Sequence, residues 1–347
     1  MVINELKIDN PEKERRFSEI LKSFKVNFDY INLNQEKYFD VYDIKLSFGT
    51  RISKIETLID DIGLQMMAYS KPISYAVHNK GIYRVEIQRD PIVPKDILGL
   101  MAAMPSSHVI PICLGTDKSG EDLIVDLNKI PNLLIGGTTG SGKSVLLHNI
   151  ILSLIYRDAD IYLADPKFVE FSMYSGLKQV KWIDNSSEQL SSTLSHLKKI
   201  MNHRYSLLLR YKARNIKEYS NLSTTVTDMK PIVLVIDEWA DLVLSNKDLQ
   251  AELCCIAQKG RAAGIGIVLA TQRPSVNVVS GMIKANFPGR ICLRVASQVD
   301  SKVILDRAGG ESLTDVGTGL YIDGFTKSPI HFKSDYIEDI SKALERI

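Results

Sequence analysis

The sequence predicts an α/β fold in two parts: a small α+β module, then a larger domain with a mostly parallel sheet covered by helices on both faces. Three observations carry the prediction. Up to about residue 100, short alternating strands and helical stretches follow one another. After residue 106, short apolar strands alternate with long helical patterns, which calls for crossover connections and therefore parallel strands. Finally, the apolar strands 161–164, 232–236 and 265–270 each run into polar residues: Asp165, Pro166 and Lys167; Asp237 and Glu238; Thr271, Gln272 and Arg273. Ligands of open α/β sheets bind at the carboxyl ends of strands, so these endings point to a site on one edge. The expected division is 1–105 for the small module and 106–347 for the larger domain.

In the first part, Asn10 and Pro11 followed by charged residues predict a capped, exposed leading helix with no chemistry of its own. Tyr42, Ile44, Leu46 and Phe48 alternate as a half-buried strand, and Ile55, Ile59, Ile62 and Met66 keep helical spacing. Two more strands meet across His78, Asn79, Lys80 and Gly81, a hairpin turn that sets Tyr83, Val85 and Ile87 on one face. Pro91, Pro94 and Pro105 punctuate the passage to the second part.

The chain has 347 residues, 45% apolar and 24% charged, the profile of a globular protein with a sizeable core. A net charge of +2 means that nucleic acid could be held only by a local basic surface. The four cysteines, 113, 254, 255 and 292, have no metal-ligand spacing and read as reduced structural thiols. No signal peptide is recognisable, and the apolar run from Val145 to Tyr156 is too short to span a bilayer. No membrane insertion and a cytoplasmic location are expected.

Gly137, Thr138, Thr139, Gly140, Ser141, Gly142, Lys143 and Ser144 fit the pattern G-x-x-x-x-G-K-[ST], with a strand at 131–135 before and a helix after. Glycines there let backbone N–H groups turn inward and wrap phosphate oxygens at a helix N-terminus. Lys143 would reach the β- and γ-phosphates of ATP and the Ser144 hydroxyl would hold Mg²⁺. Asp237, after five apolar residues, would complete the metal shell through water or through Ser144, as in a Walker B element. Glu238 is placed to activate the attacking water, although an acidic pair after a strand also serves as an ordinary helix cap. Gln272 reads either as a γ-phosphate sensor or as a satisfied core amide. A cation from a neighbouring subunit is expected in the transition state. Among Arg261, Arg273, Arg290 and Arg294, Arg261 is favoured, because the small residues around it would let it project across an interface; the alternative is a charge at a helix C-terminus.

These residues carry a resemblance. The runs 137–144, 165–167, 236–242 (IDEWADL), 260–264 (GRAAG), 270–275 (ATQRPS) and 283–286 (IKAN) look like the motor of the FtsK/SpoIIIE family of double-stranded DNA translocases. Arg204, Tyr205, the run 214–219 (RNIKEY) and the run 300–306 (DSKVILD) add to it, so that the resemblance covers nearly all of 106–325. It implies a RecA-like P-loop NTPase domain of the ASCE type with a smaller α+β subdomain, assembled as a hexameric ring with duplex DNA in the pore and ATP between subunits. Trp239 stands where the family commonly has phenylalanine and Lys302 where it commonly has arginine. With no membrane-spanning start and no winged-helix module visible, the resemblance suggests a bare motor of a phage, plasmid or other mobile element, or one recruited by an adaptor.

For DNA, the resemblance points to the loop from Ser275 through Ser280 to Lys284 and to a loop at Lys178 to Lys181. The residues themselves offer another surface: seven Lys or Arg and no acid between 198 and 217, either a backbone-tracking stripe or a solvated helical face. The expected activity is ATP-driven translocation along double-stranded DNA. The alternatives are a coupling or packaging ATPase that serves a relaxase or capsid, a type VII secretion-like ATPase with a protein substrate, and a non-hydrolysing nucleotide-gated scaffold.

Overall fold

The structure is a computed structural model that describes residues 10–222, 229–325, 328–337 and 339–347. Expectations that fall on 1–9, 223–228, 326–327 and 338 lie outside the described residues. The chain forms two compact units, residues 1–93 with 117–121 and 312–314, and residues 94–116, 122–311 and 315–347.

The first unit contains α1 (Asn10–Ser23), β1 (Phe28–Gln35), β2 (Phe39–Leu46), α2 (Ser53–Glu56), α3 (Ile59–Gln65), β3 (Ile73–Val77) and β4 (Ile82–Gln88). Its four strands pair antiparallel in the order β1-β2-β4-β3. The predicted hairpin joins β3 to β4 through a tight turn at 78–80, closed by Gly81 at φ +62, a left-handed conformation that favours glycine. Two expectations need correction. Helix α1 is no exposed appendage: Phe17, Ile20 and Leu21 are buried, and Phe17 stacks on Tyr42 with ring centroids 4.0 Å apart. Its apolar spacing, hidden among seven charged residues, supplies one wall of the core. Phe48, expected inside a strand, lies beyond the end of β2 and is fully exposed, because the chain turns at Gly49 with φ +87.

The second unit contains α4 (Ile97–Ala102), β5 (Pro111–Asp117), β6 (Asp122–Asp126), β7 (Asn132–Gly136), α5 (Lys143–Tyr156), β8 (Asp160–Ala164), β9 (Val180–Asp184), α6 (Ser187–Arg210), α7 (Ile216–Ser220) and β10 (Ile232–Ile236). It continues with α8 (Trp239–Ser245), α9 (Asp248–Lys259), β11 (Ile265–Thr271), α10 (Gly281–Asn286), β12 (Gly289–Leu293), α11 (Gln298–Leu305), β13 (Thr318–Ile322), β14 (Ile330–Lys333) and α12 (Ile340–Arg346). Ten strands form one sheet in the order β6-β5-β14-β13-β12-β7-β11-β10-β8-β9. From β12 to β9 all neighbours are parallel, while β12 with β13, β13 with β14 and β5 with β6 are antiparallel.

The parallel strands are continuous apolar runs because helices cover both faces; β7, β10 and β11 are buried at every position. Helix α5 is buried along most of its length, so its polar side chains find partners inside the protein. Asn149 donates to Ser334 Oγ and to the carbonyl of Asp335, and the Ser153 hydroxyl accepts from Cys113 N. The cysteines are free, and burial pushes the Cys113 thiol up to about 12, as expected of an inert structural thiol. Among the described residues, no helix is long and apolar enough to cross a membrane.

Candidate functional site

The strand order places four carboxyl ends side by side: β7 with the glycine-rich loop, then β11, β10 and β8. Thr138 N donates to the carbonyl of Arg294 at 2.9 Å and Gly137 N to that of Thr271 at 3.3 Å, which anchors the loop at its base. On its far side, Gly317 N donates to the carbonyl of Ser141 at 2.8 Å. Gly140 and Gly142 both have positive φ, +74 and +96, so consecutive amides turn toward one side. A Cβ on Gly142 would also come within 2.6 Å of Gly317 N, so this position requires glycine twice over. Helix α5 starts at Lys143 with no side-chain cap, which leaves its first N–H groups to the loop's concavity. The cradle therefore fits a chain of phosphates.

Lys143 is buried and donates to Asp237 twice, to Oδ1 at 2.5 Å and to the backbone carbonyl at 2.6 Å. The Ser144 hydroxyl donates to Glu170 Oε1 at 3.0 Å. A serine hydroxyl and the Asp237 carboxylate are hard oxygen donors, the kind Mg²⁺ takes when phosphates and waters complete its shell. Glu238 is buried and well satisfied: Oε1 accepts from Thr271 Oγ1 at 2.7 Å and Oε2 from Gln272 N at 2.9 Å. It also caps α8 by accepting from Ala240 N at 3.3 Å, so the cap alternative and the site position are realised in one residue. The Gln272 side chain accepts from Thr139 Oγ1 at 2.7 Å. Gln272 thus joins the glycine-rich loop to Glu238, through its amide oxygen on one side and its backbone N–H on the other.

The arginines separate by strand end. Arg294 follows β12 and lies at the loop, donating to the carbonyl of Gly140 at 3.3 Å. Arg273 is exposed just past β11, while Arg290 is engaged with Asp306 and with the carbonyls of Phe287 and Lys284. Arg261 precedes β11, so the seven-residue strand holds it about 20 Å from Gln272, at the opposite edge of the sheet. It is exposed, donates to the carbonyl of Asn128 at 3.1 Å, and lines a pocket of about 380 Å³ with Tyr205, Arg214 and Lys259.

The DNA-facing expectations fare unevenly. Ser275 is exposed at a loop tip, but Ser280 caps α10 by accepting from Ile283 N, Lys284 pairs with Asp306, and Lys181 pairs with Asp160 at 3.2 Å. The seven-cation stripe shrinks too. Arg204 is buried and donates to the carbonyls of Ala263 and Lys230, and Arg214 pairs with Glu218, just past the counted stretch. Glu170 went unnoticed in the sequence; it stands five residues beyond Asp165, whose carboxylate accepts from Lys167 N and Phe171 N and so folds that segment. Trp239 also does more than fill space, since its indole N–H donates to the carbonyl of Val278 at 3.1 Å in the loop before Ser280.

A glycine-rich loop closing on a helix N-terminus, its lysine held on an acid at a neighbouring strand tip, defines the class of P-loop ATPase motor domains with a RecA-like sheet. Within that class the chain belongs to the FtsK/SpoIIIE family, whose model matches residues 95–276. It is 34% identical to the DNA translocase FtsK of Campylobacter jejuni subsp. jejuni serotype O:23/36 (strain 81-176), over 97% of this chain and 37% of that protein. It is 33% identical to the DNA translocase FtsK of Haemophilus influenzae, over 94% of this chain and 68% of that protein. The chain spans roughly two fifths of the length of the first curated relatives it matches, 37% and 43%. In fold it is similar to the pCW3 conjugation coupling protein TcpA, a monomer form with ATPγS (TM-score 0.69, 22% identity, 96% of this chain and 99% of that one). It is also similar to the cytoplasmic domain of the Thermomonospora curvata type VII secretion ATPase EccC (TM-score 0.62, 24% identity, 72% of this chain and 31% of that one).

Proposed function

We propose that this chain is an ATP-hydrolysing motor that moves along double-stranded DNA. The observation that carries the reading is the convergence at one sheet edge of the glycine-rich loop, the Lys143–Asp237 pair and the Glu238–Gln272 contact. The loop amides from Gly137 to Ser144 bind the phosphates, and Lys143 leaves Asp237 to reach the β- and γ-oxygens. Ser144 and Asp237 would hold Mg²⁺, which would neutralise charge on the phosphates. Glu238 takes a proton from the water that attacks the γ-phosphorus; the bond to the β-phosphate oxygen breaks, and ADP and phosphate leave. Its two carboxylate oxygens have four lone-pair sites, enough to take a water besides the Thr271, Gln272 and Ala240 donors.

Arg261, too far from its own chain's loop, serves the nucleotide of the next subunit in a homo-hexameric ring. Gln272 reports loss of the γ-phosphate to the loop from 273 to 280, and Trp239 ties that loop to the Walker B helix. Ser275, with backbone amides of the loop tip, follows the DNA backbone without reading bases. Ser280, Lys284 and Lys181 already have partners within the chain, so they would contribute through the protons those contacts leave free. The first unit acts as the small motor subdomain and the second as the ATPase domain, in the cytoplasm.

The names of the FtsK relatives support DNA as the substrate. The EccC likeness supports a second reading, a protein substrate, at the level of the fold. Coupling or packaging with an adaptor, relaxase or capsid, on a mobile element, is the narrower form of the first reading. The ATPase rate with and without long linear duplex DNA separates the two substrates. A DNA motor is stimulated several-fold by duplex, and Glu238→Gln keeps ATP binding while losing turnover by at least ~100-fold. Turnover indifferent to duplex rejects the DNA reading, and full turnover in Glu238→Gln rejects the base.

A further inference from the structure

Glu170 lies in the connection between β8 and β9, folded back over the start of α5. Asp165 sets that path by accepting from Phe171 N at 2.9 Å, and Phe171 and Tyr174 are buried in the same apolar core as α5. The path brings Glu170 to two α5 residues four apart, hence on one helix face. Its Oε1 accepts the Ser144 hydroxyl at 3.0 Å and its Oε2 is 3.7 Å from His148 Nε2. His148 is itself fixed by the Tyr174 hydroxyl at 2.8 Å. Burial lowers the pKa of His148.

A serine hydroxyl that ligates a cation uses an oxygen lone pair and must send its proton elsewhere. Glu170 is the acceptor at hydrogen-bond distance from Ser144. We propose that Glu170 is a positioning residue for the divalent cation that accompanies the nucleotide, holding the Ser144 hydroxyl with its proton turned away and its lone pairs free. The inference rests on the reading of Ser144 as a cation ligand. Lys143 and Asp237 satisfy each other and leave this task undone, so Glu170 brings a second, independently placed carboxylate to the cation's side of the loop.

The test measures the affinity of the full chain for a fluorescent ATP analogue with Mg²⁺ and again with EDTA; the ratio is the cation's contribution. Ser144→Ala should abolish the gain seen in wild type. Glu170→Ala should reduce it about tenfold, as expected when a partner of a metal ligand is lost, and leave the affinity in EDTA unchanged. Glu170→Gln, whose amide oxygen still accepts, should keep part of the gain and guards against misfolding of the alanine variant. A wild type with no gain, or a Ser144→Ala variant that keeps it, overturns the Ser144 reading. If those two behave as stated, a Glu170→Ala variant with the full gain, or with equal losses in both conditions, overturns the role of Glu170 alone.

Discussion

The two edges of the parallel sheet are built from opposite materials. At the carboxyl edge Lys143, Asp237, Glu238 and Thr271 are buried and every one is hydrogen-bonded to another residue of the site. At the amino edge Arg261 and Arg214 are exposed, and Arg261 donates to the backbone carbonyl of Asn128 at 3.1 Å. The first edge is largely assembled in advance, with Lys143 changing partner when nucleotide binds. The second is held out to solvent, as suits a group that acts on another molecule. The contrast teaches that the buried groups are assembled within one chain at the carboxyl edge, whereas the role proposed for Arg261 requires a second molecule.

Breaking the carboxyl edge should have the largest effect. Lys143→Ala leaves Asp237 buried without its ion-pair partner, so it should lower stability by about 3 kcal/mol as well as remove ATP binding; chemical denaturation beside a binding titration checks both. An unchanged denaturation midpoint would mean that the buried pair contributes little. Arg261→Ala should leave ATP binding intact and lower turnover about a thousandfold. Mixing it with Glu238→Gln should restore activity above that of either variant, since each supplies what the other lacks. Mixtures no better than their parts would place the arginine's role within its own chain.

Trp239→Phe keeps the apolar bulk but removes the donor to Val278, at a cost of about 1 kcal/mol. It should leave basal turnover near wild type and reduce the stimulation by duplex two- to fivefold; equal stimulation would sever the loop from the Walker B helix. The last effect concerns the pH dependence of stability. Burial raises the Asp335 carboxyl to about 6 from its ordinary 3.8. Between those values the folded chain holds a proton that the unfolded chain releases, so this group's contribution falls as pH rises, by up to ~3 kcal/mol. Asp335→Asn should therefore gain stability relative to wild type from pH 4 to 7 in urea denaturation, and a constant difference would contradict the shift.

Legibility in the sequence follows the same division. Strands β10 and β11 and the loop from 137 to 144 were read nearly to the residue, because a buried parallel strand is an unbroken apolar run and a phosphate loop has fixed spacing. The strands β12, β13 and β14 were not, since Gly289 and Arg290, Thr318 and Gly319, and His331 and Lys333 interrupt their apolar runs. Partners of side chains were hidden for the same reason. Lys284 and Asp306, or Ser144 and Glu170, are separated by 22 and 26 residues, and only the fold joins them. The basic count from 198 to 217 misled because it missed that Arg204 faces inward. In α1, frequent charges concealed a three-residue apolar face.

The central claim is that hydrolysis at the buried edge drives motion along duplex DNA. Displacement of a third-strand oligonucleotide from a linear duplex, followed with ATP, with ATPγS and with Glu238→Gln, tests it most directly. The account predicts ATP-dependent release by wild type, and release at the uncatalysed rate with the analogue or the variant. Duplex-stimulated ATP hydrolysis with no displacement on any duplex arm would contradict it.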